Sequence, residues 1–548
     1  MRILSAAEMQ ACDRATTERL GIASLDLMRA ASAAVAEFAR QQFPHARRIT
    51  VLCGRGNNGG DGMMAARLLA DAGLDVTALL LGPSDGLKGD AAAAWRELVN
   101  PRHGQVHIVT AAEDLARHNA ALACDLLIDA LLGTGFKPPL RGLALAALEW
   151  LQRSPAPILA VDLPSGWPAD ETRAALASSV FPADAVITFT APKPAHVFGQ
   201  LTRDASQPIV VAPIGSPEEA IVSTLNLRWA GSAAALTHAP RAASANKGSY
   251  GHVLVVGGSF GSAGGKAGAP AMTALAALRA GAGLVTAAVP APALAVVSSH
   301  APELMTLPLA ATDSGALAAE NLAQDRLAAL MKGKTVLALG PGLGQESDTA
   351  QFVLGLLAAT EIPAVIDADA LNILAAHTDR LAEFSRNGER TLVLTPHPGE
   401  MARLAGGTVA EVQSNRLETA RSFAQRHRVT LVLKGARTLI AHPDGRAAVN
   451  TTGNPGMAKG GSGDLLTGLI AGLLAQFPGD PARAVEAAVY LHGLSADFAV
   501  RARDEHTLLA TDTLDYLSQA FRFYSRRANG YVWIQGLPPE AAPREAAS

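Results

Sequence analysis

Cysteine is nearly absent: Cys12, Cys53 and Cys124 are odd in number and lack metal-ligand spacing in a chain of 548 residues. That excludes a disulfide framework and a thiolate metal site. Three small buried hydrophobes in a reducing compartment remain, and a cytoplasmic location is expected. Charge of one sign is lacking as well. The formal net charge is −3, and neither a basic stripe nor a long run of like charge occurs, so no nucleic acid and no anionic membrane surface is expected as a partner. The longest apolar run, Leu465 to Ala475, is interrupted by Thr467, Gly468 and Gly472 and falls short of the ~20 residues that span a bilayer. It reads as a buried helix. The first twenty residues place acids and bases where a signal peptide needs an apolar core, so secretion by that route is not expected. No short-period repeat is evident.

What is present is alternation. From Arg48 onward, short β-rich runs (ITVLC, DVTALLL, Cys124 to Leu132, Ala156 to Pro164, Asp184 to Thr190) alternate with Ala- and Leu-rich amphipathic segments. Such alternation implies βαβ units, a mainly parallel sheet, and ligands at the carboxyl ends of its strands. The rhythm stops near Pro213 and resumes at His252, in HVLVVGG, continuing through GLVTAAVP, KTVLALGPG, PAVIDADA, RTLVLTPHPGE and VTLVLKG. A chain this long exceeds one ordinary core. Two α/β domains are therefore expected, residues 1–228 and 229–526, with a disordered tail, 527–548, rich in Pro, Ala and Glu. The helix from Leu25 to Arg40 has a broad apolar face suited to packing on a second copy, and a homo-oligomer is expected.

In the first half, CGRGNNGGDGMMAARLL (Cys53 to Leu69) follows a strand and opens a helix. Its glycines let the backbone turn tightly and approach a ligand, the helix start offers free N–H groups, and Asn57, Asn58 and Asp61 add polar groups. A turn required by the fold alone would read the same way. Asp129, with a second glycine turn after it (Gly133 to Gly135), and Asp162 with Ser165 stand at two further strand ends. An amide, two carboxylates and a hydroxyl at three strand ends suit an alkali cation beside a phosphate-bearing ligand, while each aspartate alone would suit a helix N-cap.

In the second half, NPGMAKGGSGDLLTG leaves the backbone N–H groups around Gly460, Gly461 and Gly463 unobstructed ahead of a helix. They form a hole for a transferring phosphoryl group, and Asp464 sits where it accepts the proton of an attacking hydroxyl. The alternative is a capped buried helix. Lys434 ends a strand and is either a surface charge or, with the N–H groups of the following Gly435, Ala436 and Arg437, a phosphate contact. His397, between Pro396 and Pro398, is a packed loop histidine or a ligand contact. Asp367 and Asp369 orient Mg²⁺ or the helix that follows.

GRGNNGGDG, DALLGTGF, VDLPSGW and FTAPKPAH together closely resemble the NAD(P)H-hydrate epimerase domain, over most of residues 1 to about 225. The resemblance implies a Rossmann-like domain that inverts C6 of the hydrated nicotinamide ring, with K⁺ held by Asn58, Asp129 and Ser165. It implies substrate contacts from Asn57, Asn58, Gly59, Gly60 and Asp61, from Gly133, Thr134, Gly135, Phe136, Lys137, Pro138 and Pro139, and from Asp162. Asp162 is also the candidate for proton transfer at C6, with Lys193 second. Pro138-Pro139 departs from the looser, glycine-containing turn of many relatives.

The loop around Asp464 resembles the active-site loop of the ribokinase-like superfamily. With His252 to Val285, LGPGLGQ, IDADALN, TPHPGEMARL and VLKGART it closely matches ADP-dependent NAD(P)H-hydrate dehydratase, over roughly residues 230 to 525. The match implies a C-terminal ribokinase-like domain in which Ala269, Gly344, His397 and Asp464 contact the hydrated dinucleotide. Lys434, Gly435, Ala436, Arg437, Thr438 and Gly463 would contact ADP, carried with Mg²⁺, and Asp464 would be the catalytic base. Lys459 departs from the small residue of many relatives and adds a positive charge near the phosphates. Two three-layer α/β domains acting in turn on hydrated NADH and NADPH are thus expected. Two rivals remain: a vitamin or sugar kinase with a front binding module, which would release a stable phosphorylated product, and a nucleotide-binding scaffold, which would show no turnover.

Overall fold

The computed structural model describes residues 1–99, 104–176, 179–262 and 264–539. In the first unit, β1 (Arg48–Cys53), β2 (Asp75–Leu81), β3 (Gln105–Val109), β4 (Leu126–Ala130), β5 (Ile158–Val161), β6 (Ala185–Phe189) and β7 (Ile209–Ala212) pair in parallel. Their order is β7-β6-β5-β4-β1-β2-β3. The chain builds outward from β1 to β3, then returns to place β4 on the other side of β1, so the carboxyl ends of β1 and β4 flank a switch point where a crevice opens. β1 reads as a nearly continuous apolar run because helices cover both of its faces. Helix Ser24–Gln42 buries Leu27, Met28, Ala31, Val35, Phe38 and Ala39. All but Leu27 belong to the core of this same unit, so the apolar face expected to meet a second copy is already covered.

The second unit starts with β8 (Leu227–Trp229) and β9 (His252–Val256), followed by a short hairpin, β10 (Phe260–Gly261) with β11 (Gly264–Gly265). β12 (Leu284–Pro290), β13 (Met305–Leu309), β14 (Val336–Leu339), β15 (Ala364–Ile366), β16 (Leu392–Leu394), β17 (Thr430–Leu433), β18 (Leu439–Ala441) and β19 (Ala447–Val449) complete it. Ten of these strands form one sheet, β13-β12-β9-β14-β15-β16-β17-β18-β19-β8, antiparallel only around β18. Helix Ser462–Gln476 is the expected buried helix, and glycines bring it close to helix Gly268–Ala280. A Cβ at Gly468 would lie 2.1 Å from the Thr273 carbonyl oxygen. This contact fixes where the Asp464 end of the helix projects.

The tail corrects an expectation. β20 (Val532–Gln535) pairs antiparallel with β7, and Tyr531 and Trp533 enter the core of the first unit. Averaged composition hid a four-residue apolar run, YVWI, that covers an otherwise open sheet edge. The rest of the expected disordered segment, residues 540–548, lies outside the described residues. Unit one is Met1–Leu225 together with the chain from Tyr524, and unit two is Asn226–Phe523. The division expected at 228 moves because Leu227–Trp229 pairs with β19. No helix among the described residues is long and apolar enough to cross a membrane.

Candidate functional sites

Packing dictates the glycines after β1. A Cβ at Gly59 would lie 1.8 Å from the Gly54 carbonyl oxygen, and one at Gly54 would lie 2.0 Å from that of Leu131. Only glycine lets this loop press against the end of β4. Gly60 and Gly62 seat helix Asn57–Asp71 against Met28 and Ala130. Gly59→Ala is therefore expected to destabilise the first unit by about 3 kcal/mol, the upper range for overpacking. Chemical denaturation checks this, and an unchanged midpoint would show that the loop can yield.

Asn58, in the first turn of that helix, has both side-chain polar atoms buried without a hydrogen-bond partner. Asp129, at the end of β4, is 1% exposed. Its Oδ1 accepts from Ser165 Oγ (2.7 Å) and Leu131 N (3.2 Å), and its Oδ2 accepts from Ser165 N (2.8 Å). Burial outweighs these bonds and pushes the carboxyl up to about 6. No ion pair reaches it among the described residues. A buried carboxylate without a counter-ion and an orphaned amide at the start of the helix after β1 are both relieved by a cation that takes oxygen ligands.

Asp162, just after β5, has φ of 65°, a left-handed conformation costly for a non-glycine residue. Its Oδ2 accepts from Thr134 N (3.0 Å) and Thr134 Oγ1 (2.5 Å), its Oδ1 from Thr188 Oγ1 (2.9 Å) and Lys193 Nζ (2.8 Å). Burial alone would raise this carboxyl, but the Lys193 ammonium, His196 and the hydrogen bonds hold it well below the usual carboxylate range. Lys193 is 2% exposed. His196 accepts from Lys193 N at Nδ1 (3.0 Å) and donates from Nε2 to the Asp162 carbonyl (2.7 Å), so the strained peptide is held by a neutral ring that burial keeps at about 4. Asp13 and Asp61 face the same space. Burial raises both carboxyls, Asp61 well above its ordinary value, and repulsion from Asp162 adds to the effect.

These groups surround a cavity of about 790 Å³ at the ends of β1 and β4. Asn57, Asn58, Asp61, Gly133, Thr134, Gly135, Phe136, Asp162 and Lys193 line it. Gly59 and Gly60 pack behind its wall, and Lys137, Pro138 and Pro139 lie off it, as do the buried Asp129 and Ser165. Asp13, Thr188 and His196 belong to the cluster without having been singled out in the sequence.

In the second unit, Gly461 starts helix Ser462–Gln476 with φ of 98°, and Asp464 is the acid of its first turn. Below it, Lys434 Nζ donates to Asp367 Oδ1 (2.8 Å), Thr467 Oγ1 donates to Asp367 Oδ2 (2.9 Å), and Glu400 Oε2 lies 3.9 Å from the ammonium. A Cβ at Gly463 would lie 3.3 Å from Lys434 Nζ, so glycine keeps the helix start against the charge. Burial and the Asp367 carboxylate raise Asp464 to about 6, against the pull of Lys434. That value suits a base working near neutral pH.

Asp369 accepts from Lys266 Nζ (3.0 Å), Gly344 N (2.9 Å) and Gln345 Nε2 (3.1 Å), and so anchors the Gly344 loop. His397 caps helix Pro398–Ala405: its Nδ1 accepts from Gly399 N (3.0 Å) while Glu400 Oε2 accepts from His397 N (2.8 Å). Its side chain is about half exposed, with Nε2 3.5 Å from Glu400 Oε1. The run Lys434 to Thr438 curls on itself, with Gly435 and Arg437 at φ 128° and 57° and Thr438 Oγ1 donating to the Gly435 carbonyl. Within that run Arg437 is half-buried and its guanidinium donates to the Thr451 carbonyl (3.3 Å). Ala269 sits in the first turn of helix Gly268–Ala280, in packing distance of Gly342. Lys459 directs its Nζ to the His506 carbonyl, to which it donates (2.6 Å). Glu400, Thr467 and Lys266 complete this cluster, and all three stand within motifs legible in the sequence without having been singled out there. Among the described residues no group of three or more His, Cys, Asp or Glu side chains is gathered as a metal site.

Comparison with known proteins covers both units. Residues 253–519 match the family profile described as NAD(P)H-hydrate dehydratase, and residues 24–195 match that described as YjeF-related protein N-terminus. The chain is similar to the bifunctional NAD(P)H-hydrate repair enzyme of Moorella thermoacetica, at 41% identity over 95% of this chain and 97% of that one. The Escherichia coli K12 protein of the same name is 36% identical over 92% of this chain and 91% of its own. A crystal structure of the ADP/ATP-dependent NAD(P)H-hydrate dehydratase of Bacillus subtilis with ATP and Mg²⁺ is 32% identical, spans 54% of this chain and 97% of its own, and has a TM-score of 0.44.

Proposed function

Because the chain belongs to the family of bifunctional NAD(P)H-hydrate repair enzymes, we propose that its first unit interconverts the R and S forms of hydrated NADH and NADPH. Its second unit dehydrates the S form at the expense of ADP. The observation that carries the second activity is Asp464, raised to about 6 at a glycine-lined helix start above the Lys434 ammonium. Hydroxide is a poor leaving group. Asp464 takes the proton of the C6 hydroxyl, whose oxygen attacks the terminal phosphorus of ADP and releases AMP. The N1 lone pair then expels phosphate from C6, and loss of a C5 proton restores the ring double bond. NAD(P)H, AMP and phosphate are the products, and the atoms balance.

Backbone N–H groups around Gly460, Gly461 and Gly463 receive the charge on the phosphoryl oxygens. Ala269, Gly344 and His397 hold the dinucleotide, and Lys434 to Thr438 with Gly463 hold the adenine nucleotide. Three carboxylates, Asp367, Glu400 and Asp464, lie around the one Lys434 ammonium, an excess of negative charge that fits Mg²⁺ arriving on the ADP phosphates.

In the first unit the Asp162 carboxylate already accepts four hydrogen bonds. Lys193 donates to Asp162 and Thr188 and keeps a third N–H for the C6 oxygen, so the pair acts together, Asp162 holding the ammonium in place. Potassium bound by Asn58, Asp129 and Ser165 would neutralise Asp129 and attract the substrate's phosphates.

The test is absorbance of the dihydronicotinamide during incubation of mixed R and S hydrates with ADP. The full chain is expected to recover both. Residues 226–523 alone, a unit with its own sheet, are expected to fold and recover only the S share. A stable phosphorylated product without the absorbance gain would instead identify a kinase.

A further inference from the structure

In a sheet of this order a dinucleotide lies across the strand ends at the β1/β4 crevice, with its pyrophosphate at the turn after β1 and its adenosine ribose at the end of β2. There an acid accepts from a ribose 2′-hydroxyl, or an arginine takes a 2′-phosphate. Here β2 ends at Leu81 and Gly82 follows, with no carboxylate at that position. Arg55, in the turn after β1, lays its side chain across this strand end. A Cβ at Gly82 would lie 2.8 Å from Arg55 Cδ, and one at Gly86 2.9 Å from Arg55 Nη1, so two glycines open the groove that holds the arginine. The guanidinium makes no hydrogen bond or ion pair among the described residues, although Asp90 stands on the same cavity wall. An unpaired planar fork, lying exposed on that wall, matches a phosphate dianion.

We propose that Arg55 reads the ribose 2′-phosphate and gives the first unit a preference for hydrated NADPH over hydrated NADH. This rests on the assignment of that unit as the epimerase, and the phosphate is the one group by which the two substrates differ. The experiment follows conversion of pure R hydrates to the S form by chromatography, without ADP, so that the second unit takes no part. For Arg55→Gln, KM for the NADPH hydrate is expected to rise about tenfold to thirtyfold, the usual loss for a charged hydrogen-bonded contact. KM for the NADH hydrate and kcat for both stay within about twofold. Arg55→Lys should restore part of the loss. An equal rise in KM for both substrates would place Arg55 on the shared pyrophosphate and overturn the proposal, as would no change for either. A wild-type chain that interconverts neither hydrate overturns the epimerase assignment itself, a result visible before any variant is compared.

Discussion

Asp464→Asn is expected to lower ADP-dependent dehydration of the S hydrate at least about a hundredfold, the lower end of a general-base contribution, with ADP affinity little changed. Asparagine keeps the size of the side chain and its place in the first turn of the helix, so the glycine loop and the Gly463 contact with Lys434 persist. What is lost is the proton acceptor. Burial sets the carboxyl at about 6, so the wild-type enzyme is expected to gain activity as pH rises through that value and to level off above it. The sign follows from the role: the charged form is the base, and it is the form present above the pKa. Residual activity of the variant should lack that rising limb. Near-normal turnover by the variant, with the limb intact, would assign the base elsewhere.

Asp129→Ala is expected to abolish epimerisation and its dependence on potassium while leaving ADP-dependent dehydration of pure S hydrate at its normal rate. Asp129 is buried, carries no ion pair among the described residues, and is bonded only to Ser165 and to Leu131 N. Removing its charge removes the need for a counter-ion and the means of holding one. Potassium should accordingly raise the unfolding midpoint of the wild-type chain more than sodium or tetramethylammonium does, and give no such difference in the variant. Normal epimerisation by the variant would sink the cation-assisted site. Loss of dehydration as well would show that the two units are not chemically independent.

Both predictions rest on residues that the sequence marked, and the reason is local. Asp129 and Asp162 follow apolar runs that parallel sheets bury on both faces, so each strand end was legible from hydrophobicity alone. Asp464 directly follows a glycine cluster and precedes a long apolar segment, a helix start visible in the order of residues. The alternation of strands and helices likewise determined the α/β class, because the periods of 2 and 3.6 are properties of neighbours along the chain.

Tertiary structure decided the rest. Thr467 and Asp367 meet at 2.9 Å, 100 positions apart, and Asp13 reaches the first site from an N-terminal helix that carries no local signal of a site. His397 caps a helix and Lys434 donates to a buried carboxylate, contacts that the order of residues does not announce. Gly59, a ligand-approach glycine by its sequence, is also demanded by the Gly54 carbonyl. β20 was lost in an averaged composition because its value lies only in the open edge of β7, more than 300 positions earlier. Periodicity and turn chemistry are set within a few residues and can be read from sequence. Convergence of distant side chains depends on strand order and register, which no short stretch of the chain contains.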